Sequence, residues 1–320
     1  MIVTAVEPRR VKVRRTADGS LALADRVRST VGAYASMMKL RVVELLLVTT
    51  LPAMVLAERG LPPLGLVLVT LVGGTLAAGS AHAFNQVIER DIDAVMHRTR
   101  RRPMARSVVS PRAGFVFAGA LLVLAVAMMA VWVNPLAAAL TMLANLIYVL
   151  VYTVWLKRRT PQNIVWGGIA GCVPTLIGWA AVTNSLAWPP FVMFLIVFFW
   201  TPPHYWPLAM RYRDDYARAG VPMLPVVASA TSVAGQILAY SWAMVATSLV
   251  LWPVGELGVI YGAAAVLAGG WFVVEVHRLY GRARRDPSGA GLKAMRVFHG
   301  SITYLTIVFV AVMVDVLVFG

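Results

Sequence analysis

Carboxylate side chains are scarce in this 320-residue chain, and five of its 14 fall in two short segments. In the first segment, Asn85, Glu89 and Asp93 follow one another at intervals of four residues. At about 100° per residue these side chains share one helical face, with His82 one turn earlier and Asp91 pointing away. Such stacked oxygen ligands suit Mg²⁺, which keeps several waters and completes its shell with substrate phosphates. The alternative is an ordinary charged helix end that faces solvent.

The second segment holds Asp214 and Asp215, just after an apolar stretch that contains a Pro-Pro pair. The two prolines are expected to kink that stretch or to start a new helical segment. If a helix continues through the segment, His204, Arg211 and Asp215 share one face within about 20°. Two acidic segments at the same membrane face could share one or two metal ions.

Basic side chains lie close to both acidic segments. Arg98 and Arg102 follow the first segment, and Lys157 and Arg158 follow Tyr152 in a later loop. Arginine forks match phosphate oxygens in paired geometry, and a lysine adds a compact charge beside them. Carboxylates for a metal next to Arg and Lys for phosphate therefore predict a diphosphate site. The competing interpretation, that these bases only set membrane topology, does not account for the acids among them.

Membrane-spanning helices must position these side chains. The chain is 59% hydrophobic and 13% charged, about half the charged fraction of a soluble domain. Crossing the hydrocarbon takes roughly 20 mostly apolar residues, and the backbone in lipid must satisfy its own hydrogen bonds, which favours helices. The sequence therefore predicts an all-α polytopic membrane protein with nine spans, at approximately 40–57, 63–84, 113–132, 136–155, 163–183, 189–208, 232–252, 257–276 and 299–319.

The net charge of +15 would suggest nucleic acid as the partner of a soluble protein, but its distribution indicates the lipid bilayer instead. With the N-terminus inside, only Arg59 of the 29 Lys and Arg residues lies outside. The C-terminus then lies outside, and no nucleic acid is expected. Residues 1–36 are interpreted as a basic, disordered cytoplasmic tail before a transmembrane domain at 37–320. A transit peptide, and with it a mitochondrial inner membrane, is the alternative to the plasma membrane.

Longer stretches around these motifs resemble a known family. Residues 85–93 resemble the first Asp-rich motif of the UbiA-type intramembrane prenyltransferases, which have nine helices. The segments 85–103, 152–179 and 200–227 are similar to the haem-directed branch of that family. Likeness around three separate loops is specific, because chance similarity between apolar spans would not produce it.

Two departures from the general family pattern concern the acidic motifs. Glu89 stands where an Asp is more usual, which changes the reach of the carboxylate and keeps its charge. Arg211 occupies the position four before Asp215, so the second motif is not a DxxxD sequence. The second metal site is therefore expected to be weaker, with the arginine contributing positive charge.

The resemblance implies a bundle around a central cavity, in which a farnesyl group passes from farnesyl diphosphate to the vinyl group of haem b. Implied Mg²⁺ ligands are Asn85, Glu89, Asp93, Asp214 and Asp215. Implied diphosphate contacts are Arg98, Arg102, Tyr152, Lys157, Arg158 and Arg211. The residues expected to carry catalysis are Asn85, Glu89, Asp93, Lys157 and Asp215. Axial ligation of the haem iron is open to His82 and His204.

Three other functions compete with haem farnesylation. A related prenyltransferase acting on an aromatic acid or a quinone precursor would use the same metal and diphosphate groups. A secondary transporter would show inverted repeats and ionisable groups near the midplane, whereas these acids cluster at one face. An assembly scaffold would need no stack of carboxylates. If haem is the acceptor, a downstream haem-modifying enzyme is a possible partner.

Overall fold

A computed structural model describes residues 23–39, 43–286 and 291–320 of the chain. All regular elements within these ranges are helices: α1 Leu23–Met37, α2 Val43–Glu58, α3 Leu64–Ile88, α4 Arg90–Val95, α5 Pro111–Trp132, α6 Pro135–Leu146 with a π-helical continuation Ile147–Leu156, α7 Asn163–Gly167, α8 Ile169–Thr183, α9 Trp188–Arg211, α10 Arg213–Arg218, α11 Leu224–Val227, α12 Ala230–Val254, α13 Val259–Arg285 and α14 Ala294–Phe319.

Eight helical stretches of the described chain are long and apolar enough to cross a membrane: α3, α5, α6 with its π segment, α7 with α8, α9, α12, α13 and α14. They confirm eight of the predicted spans and an all-α multi-pass membrane protein. The remaining prediction, 40–57, corresponds to α2. That helix has 16 residues, fewer than the roughly 20 that a full span needs, and residues 40–42 lie outside the described ranges.

The predicted disordered tail ends in a helix that packs against the bundle. Ala33 and Met37, one turn apart on α1, are buried in a small apolar cluster with residues of α3 and α5. The Gln86 side chain of α3 donates its Nε2–H to the Met37 carbonyl at 3.0 Å. The expectation of disorder therefore does not hold for residues 23–36, and residues 1–22 lie outside the described ranges.

In the described residues, the long helices pack side by side, and the segments that connect them lie at the two ends of the bundle. α3 packs along α5, α9 along α12, and α13 along α14, while α2 lies between α8 and α14. At Gly178 of α8 an added Cβ would overlap the Thr50 carbonyl oxygen, so these two helices approach as closely as their backbones allow. The predicted site residues lie in or next to the basic end. This end is defined by the connecting segments 89–110, 157–162 and 212–229, which include the short helices α4, α10 and α11. The opposite end is defined by the loops 59–63, 133–134, 184–187 and 255–258.

The fourth span changes its helical geometry before it reaches the basic end. Residues 147–156 form a π-helix, in which Thr153 Oγ1 donates to the Tyr148 carbonyl and the Lys157 amide donates to the Tyr152 carbonyl, both at 3.0 Å. π-Helical segments are rare and occur often at functional sites. This one changes the direction in which the tyrosines, the threonine and the lysine project.

The prolines of helix α9 do not start a new helical segment, because the helix continues through the Pro-Pro pair to Arg211. One turn residue, Tyr212 with φ of −107°, separates it from α10, and backbone hydrogen bonds from Tyr212 to Leu208 and from Tyr216 to Tyr212 cross the junction. That His204, Arg211 and Asp215 share one face stays a prediction, although their side chains have different surroundings. Arg211 is exposed, whereas Asp215 is buried.

Candidate functional site

The first acidic segment is buried inside the basic end. Asn85, Glu89 and Asp93 are 2%, 0% and 2% exposed. Backbone hydrogen bonds from Glu89 to Asn85 and from Asp93 to Glu89 carry the helix across the junction of α3 and α4. The interpretation of this segment as a solvated helix end is therefore wrong. The expected position of Asp91 is confirmed, because that carboxylate is exposed.

Cations from two loops neutralise the buried carboxylates. Lys157, after the π segment, pairs with Glu89. Arg102, after α4, donates to both oxygens of Asp93 at 2.8 and 2.7 Å. Both contacts come from Nη1 of the guanidinium, and a charge-assisted hydrogen bond of this kind offsets the cost of removing a carboxylate from water. The structure thus brings together four of the residues that the sequence assigned to metal and diphosphate binding.

Two oxygens of this segment remain available to a ligand. Glu89 Oε1 is buried and has no hydrogen-bond partner among the described residues, which costs about 1–3 kcal/mol if nothing binds it. Asn85 donates its Nδ2–H to Thr153 Oγ1 at 3.2 Å, while that hydroxyl donates its own proton to the Tyr148 carbonyl. The amide orientation is thereby fixed, and Asn85 Oδ1 is left as an acceptor. An orphaned carboxylate oxygen beside an amide oxygen fits a hard cation such as Mg²⁺.

The second acidic segment lies beside the first, yet its carboxylates are differently placed. Asp215 is buried and pairs with Arg218, whereas Asp214 is exposed. Arg98 lies 5.7 Å from the Tyr212 ring centroid and 3.4 Å from the Tyr216 hydroxyl, which connects the two segments. Among the described residues no group of three or more His, Cys, Asp or Glu side chains is placed to hold a metal ion. Metal ligation by the Asp-Asp pair therefore stays a prediction.

Arg158 lies at the surface in contact with Asp91. Two hydrogen bonds of 2.8 and 2.9 Å join them, and both side chains are exposed. The hydrogen bond lowers the pKa of the Asp91 carboxyl and raises the pKa of the Arg158 guanidinium. Contact between Arg158 and a diphosphate stays a prediction, because in this structure the guanidinium is engaged outside the pocket.

Two tyrosine rings lie beside Lys157. Its Nζ lies 5.7 Å from the Tyr152 ring centroid, and the Tyr148 ring lies 5.4 Å from that of Tyr152. The Tyr148 hydroxyl lies 3.2 Å from Nδ1 of His82. A Cβ added at Gly167 would overlap the Tyr152 ring carbons. The Tyr152 ring can lie against α7 because Gly167 has no side chain at the point of contact.

Lys39 is a pocket residue that sequence reasoning missed. It follows α1 in a left-handed conformation, with φ of 47°. Burial, and then the charges of Arg102 and Lys157, lower its pKa to about 7, while Asp93 acts in the opposite direction. The sequence analysis gave it no role, because no local motif distinguishes it from the bases near it. With a pKa of about 7 it is charged in about half of the molecules at neutral pH, and an anion bound beside it would favour the charged form.

His204 lies on the side of α9 that faces α14. Its ring is stacked between Trp200 and Phe298, and its Nδ1 lies 2.9 Å from Ser301 Oγ. The sequence grouped this histidine with the second acidic segment. In the structure the histidine contacts Phe298 and Ser301 of α14, whereas Asp215 pairs with Arg218 of α10.

Comparisons with known proteins agree with this arrangement. The model of the UbiA prenyltransferase family matches residues 46–314. The chain is 56% identical over 294 residues to a protoheme IX farnesyltransferase of a Nocardioides species, which covers 92% of this chain and 94% of the relative. It is 57% identical over 289 residues to a protoheme IX farnesyltransferase of Leifsonia xyli, which covers 90% of this chain and 93% of the relative.

Solved structures share the fold at much lower identity. A digeranylgeranylglyceryl phosphate synthase has a TM-score of 0.73 at 14% identity, covering 91% of this chain and all of that one. A UbiA homolog from Archaeoglobus fulgidus bound to GPP and Mg²⁺ has a TM-score of 0.58 at 16% identity, covering 88% and 99%. The observed all-α bundle is therefore an arrangement already seen in other membrane proteins.

Proposed function

Because the chain belongs to the UbiA prenyltransferase family, we propose that it transfers a farnesyl group from farnesyl diphosphate to a vinyl group of haem b. Water adds to the alkylated vinyl, so the products are haem O and diphosphate. Relatives named protoheme IX farnesyltransferase, more than half identical over about nine-tenths of the chain, support haem b as the acceptor. No observation of this structure favours an aromatic acid, a quinone precursor or a transported solute.

The observation that carries the proposal is the pairing of loop cations with the buried acidic segment. Lys157 and Arg102 reach Glu89 and Asp93 from two different loops, and Lys39 adds a further cation. When the C–O bond of the prenyl diphosphate breaks, its electron pair stays on the diphosphate oxygen. Cations fixed beside that oxygen stabilise the developing charge, an effect worth about 10²–10³ in rate for one donor in other enzymes.

Mg²⁺ would be held by Asn85 Oδ1 and Glu89 Oε1, the two available oxygens, together with Asp93. Bound there, the ion would neutralise diphosphate charge and raise its leaving ability. The structure of a family member bound to GPP and Mg²⁺ supports a metal-dependent prenyl diphosphate reaction in this fold. Of the second pair, Asp215 is the nearer candidate because it is buried, whereas Asp214 is exposed.

The aromatic wall of the pocket suits the allylic cation that forms when the C–O bond breaks. The faces of Tyr148 and Tyr152 lie beside Lys157, and aromatic faces attract cations. The electron-rich vinyl group of haem b then attacks the allylic carbon. Water captures the resulting porphyrin-side cation and loses a proton, which completes the hydroxyethylfarnesyl substituent.

The membrane location follows the same reasoning. The bacterial relatives favour the plasma membrane for this multi-pass protein. The one-sided distribution of Lys and Arg supports an orientation with the basic end and the N-terminus in the cytoplasm and the C-terminus outside. A haem-modifying enzyme that consumes haem O is the partner expected downstream.

The test uses the purified full-length protein with haem b, farnesyl diphosphate and Mg²⁺, with the farnesylated haem detected by mass spectrometry. Asp93→Ala is expected to abolish product, because it removes the partner of Arg102 and a carboxylate of the metal site. Asp91→Asn, two residues away and exposed, is the matched control and is expected to retain activity. Product at the wild-type rate from Asp93→Ala would refute the site, and wild-type activity on an aromatic acid instead of haem would refute the acceptor.

A further inference from the structure

His204 contacts an aromatic ring on each face and a serine hydroxyl at Nδ1. Trp200 stacks on one face at 4.2 Å between centroids and 16° between planes. Phe298 stacks on the other face at 4.6 Å and 27°. Trp200 Nε1 also donates to the Ser301 carbonyl at 2.7 Å, which ties the stack to α14. Two flat neighbours and a hydrogen bond fix both the plane and the rotation of the imidazole.

The surroundings of Ser301 favour one position for the imidazole proton. Its hydroxyl lies 2.7 Å from the Phe298 carbonyl, which can only accept, and 2.9 Å from Nδ1 of His204. With the hydroxyl proton directed to that carbonyl, the Ser301 oxygen accepts from Nδ1–H, and Nε2 carries a free lone pair. Nε2 has no hydrogen-bond partner among the described side chains, and the ring is only partly buried.

This arrangement is the one that metal-binding histidines commonly have. In such sites one ring nitrogen donates to a fixed oxygen, which sets the tautomer and points the other nitrogen at the metal. We propose that Ser301 is a positioning residue that holds His204 as an axial ligand for the iron of the haem acceptor. The Nε2 lone pair forms the bond to iron, and no proton is displaced because that nitrogen is unprotonated. This inference rests on the proposed function, since it needs haem as the acceptor.

His82 is less suited to the same role. Its Nδ1 lies 3.2 Å from the Tyr148 hydroxyl, which can either donate or accept, so the tautomer is not determined. It also lies on α3 among the residues that line the diphosphate pocket. His82 and His204 therefore have different surroundings, and the contacts of His204 are the ones that leave Nε2 free.

The test is a titration of the full-length protein with ferric haem b in the absence of farnesyl diphosphate, followed by the Soret band. Ser301→Ala is expected to raise the Kd for haem about 10–100-fold, the usual cost of losing such a partner. His204→Ala is expected to lose the spectrum of a nitrogen-ligated iron, and added imidazole is expected to restore it. His277→Ala, another histidine whose Nδ1 contacts a backbone carbonyl, is the matched control and should bind haem as the wild type does.

Iron-free protoporphyrin IX separates ligation from general packing. If the bond to iron is what the pair provides, both variants should bind the porphyrin with wild-type affinity. Equal losses for haem and porphyrin would overturn the inference, leaving the Ser301 hydrogen bond as only a link between α9 and α14. An unchanged haem spectrum in His204→Ala would also overturn it. Failure of the wild type to form farnesylated haem while it still binds haem through His204 would count against the proposed function alone.

Discussion

Buried carboxylates occur at both ends of the bundle, and they differ in what their oxygens contact. At the opposite end, Asp315 of α14 is 2% exposed and accepts from the backbone amides of Gly258 and Tyr261. It therefore caps the N-terminus of α13, where a negative charge is favourable. At the basic end, Glu89 is fully buried with one oxygen on Lys157 and the other without a partner among the described residues.

The difference shows that burial of an acid is not sufficient evidence for a site. A buried ionisable group in a membrane helix suggests function by default; Asp315 lies within α14, and Glu89 directly follows α3. Asp315 has satisfied its oxygens with backbone groups that every helix start offers. Glu89 pairs with Lys157, whose long side chain can move away, and its Oε1 has no partner among the described residues. A ligand can therefore bind to this carboxylate.

The largest effect on the rate is expected from removing the charge of Glu89, whose Oε1 has no partner among the described residues. Glu89→Gln retains a side chain of the same size that can still accept from Lys157, but it removes the charge that attracts a metal ion. We expect kcat for haem farnesylation to fall about 100-fold or more, with a thermal unfolding midpoint close to that of the wild type. A wild-type kcat in Glu89→Gln would show that Glu89, like Asp315, is not needed for the reaction.

The next largest effect on the rate is expected from displacing the Tyr152 ring beside Lys157. Gly167→Ala introduces a methyl group into the space of the Tyr152 ring, so the ring must move. Displacements of about 1 Å near a reacting group can cost 10²-fold in rate, and we expect kcat to fall about 10–100-fold. Gly171→Ala is the matched control, because an added Cβ there meets nothing within 4 Å. Equal rates in the two variants would show that Tyr152 has no role in the reaction.

The smallest effect on rate is expected at the opposite end. Asp315→Ala leaves two amides without their acceptor, so we expect the free energy of unfolding to fall by about 2 kcal/mol. The farnesylation rate per folded molecule should stay within about twofold of the wild type. Glu256→Gln, which alters an exposed pair with Arg59, should change stability by less than about 1 kcal/mol. A large loss of kcat in Asp315→Ala would show that the opposite end of the bundle also takes part in the reaction.

The sequence predicted those features that depend on composition and short spacing. Hydropathy located eight of the spans, and the four-residue spacing correctly placed Asn85, Glu89 and Asp93 together. It could not predict the partner of Glu89 as a specific contact, because Lys157 is 68 residues away. It also could not predict that Arg211 is exposed while Asp215, four residues later, is buried and paired with Arg218.

Residues whose roles depend on tertiary geometry had no sequence signal at all. Thr153 matters because a π segment turns its hydroxyl toward Asn85. Ser301 matters because α14 passes beside α9. Both are small hydroxyl residues in apolar helices, where the usual use of a hydroxyl is a bond to its own helix. Only the three-dimensional structure shows that each also receives a second bond from another helix.

The internal pairing at the basic end also bears on biogenesis. A lone charged side chain costs about 2.5–3.5 kcal/mol when a helix enters the bilayer centre. Glu89 and Asp93 lie at the end of a span, and each meets a cation supplied by the chain itself, Arg102 only nine residues later and Lys157 once the fourth span is in place. These two carboxylates can therefore be buried as ion pairs formed within the chain, and their burial does not depend on a bound metal ion or prenyl donor.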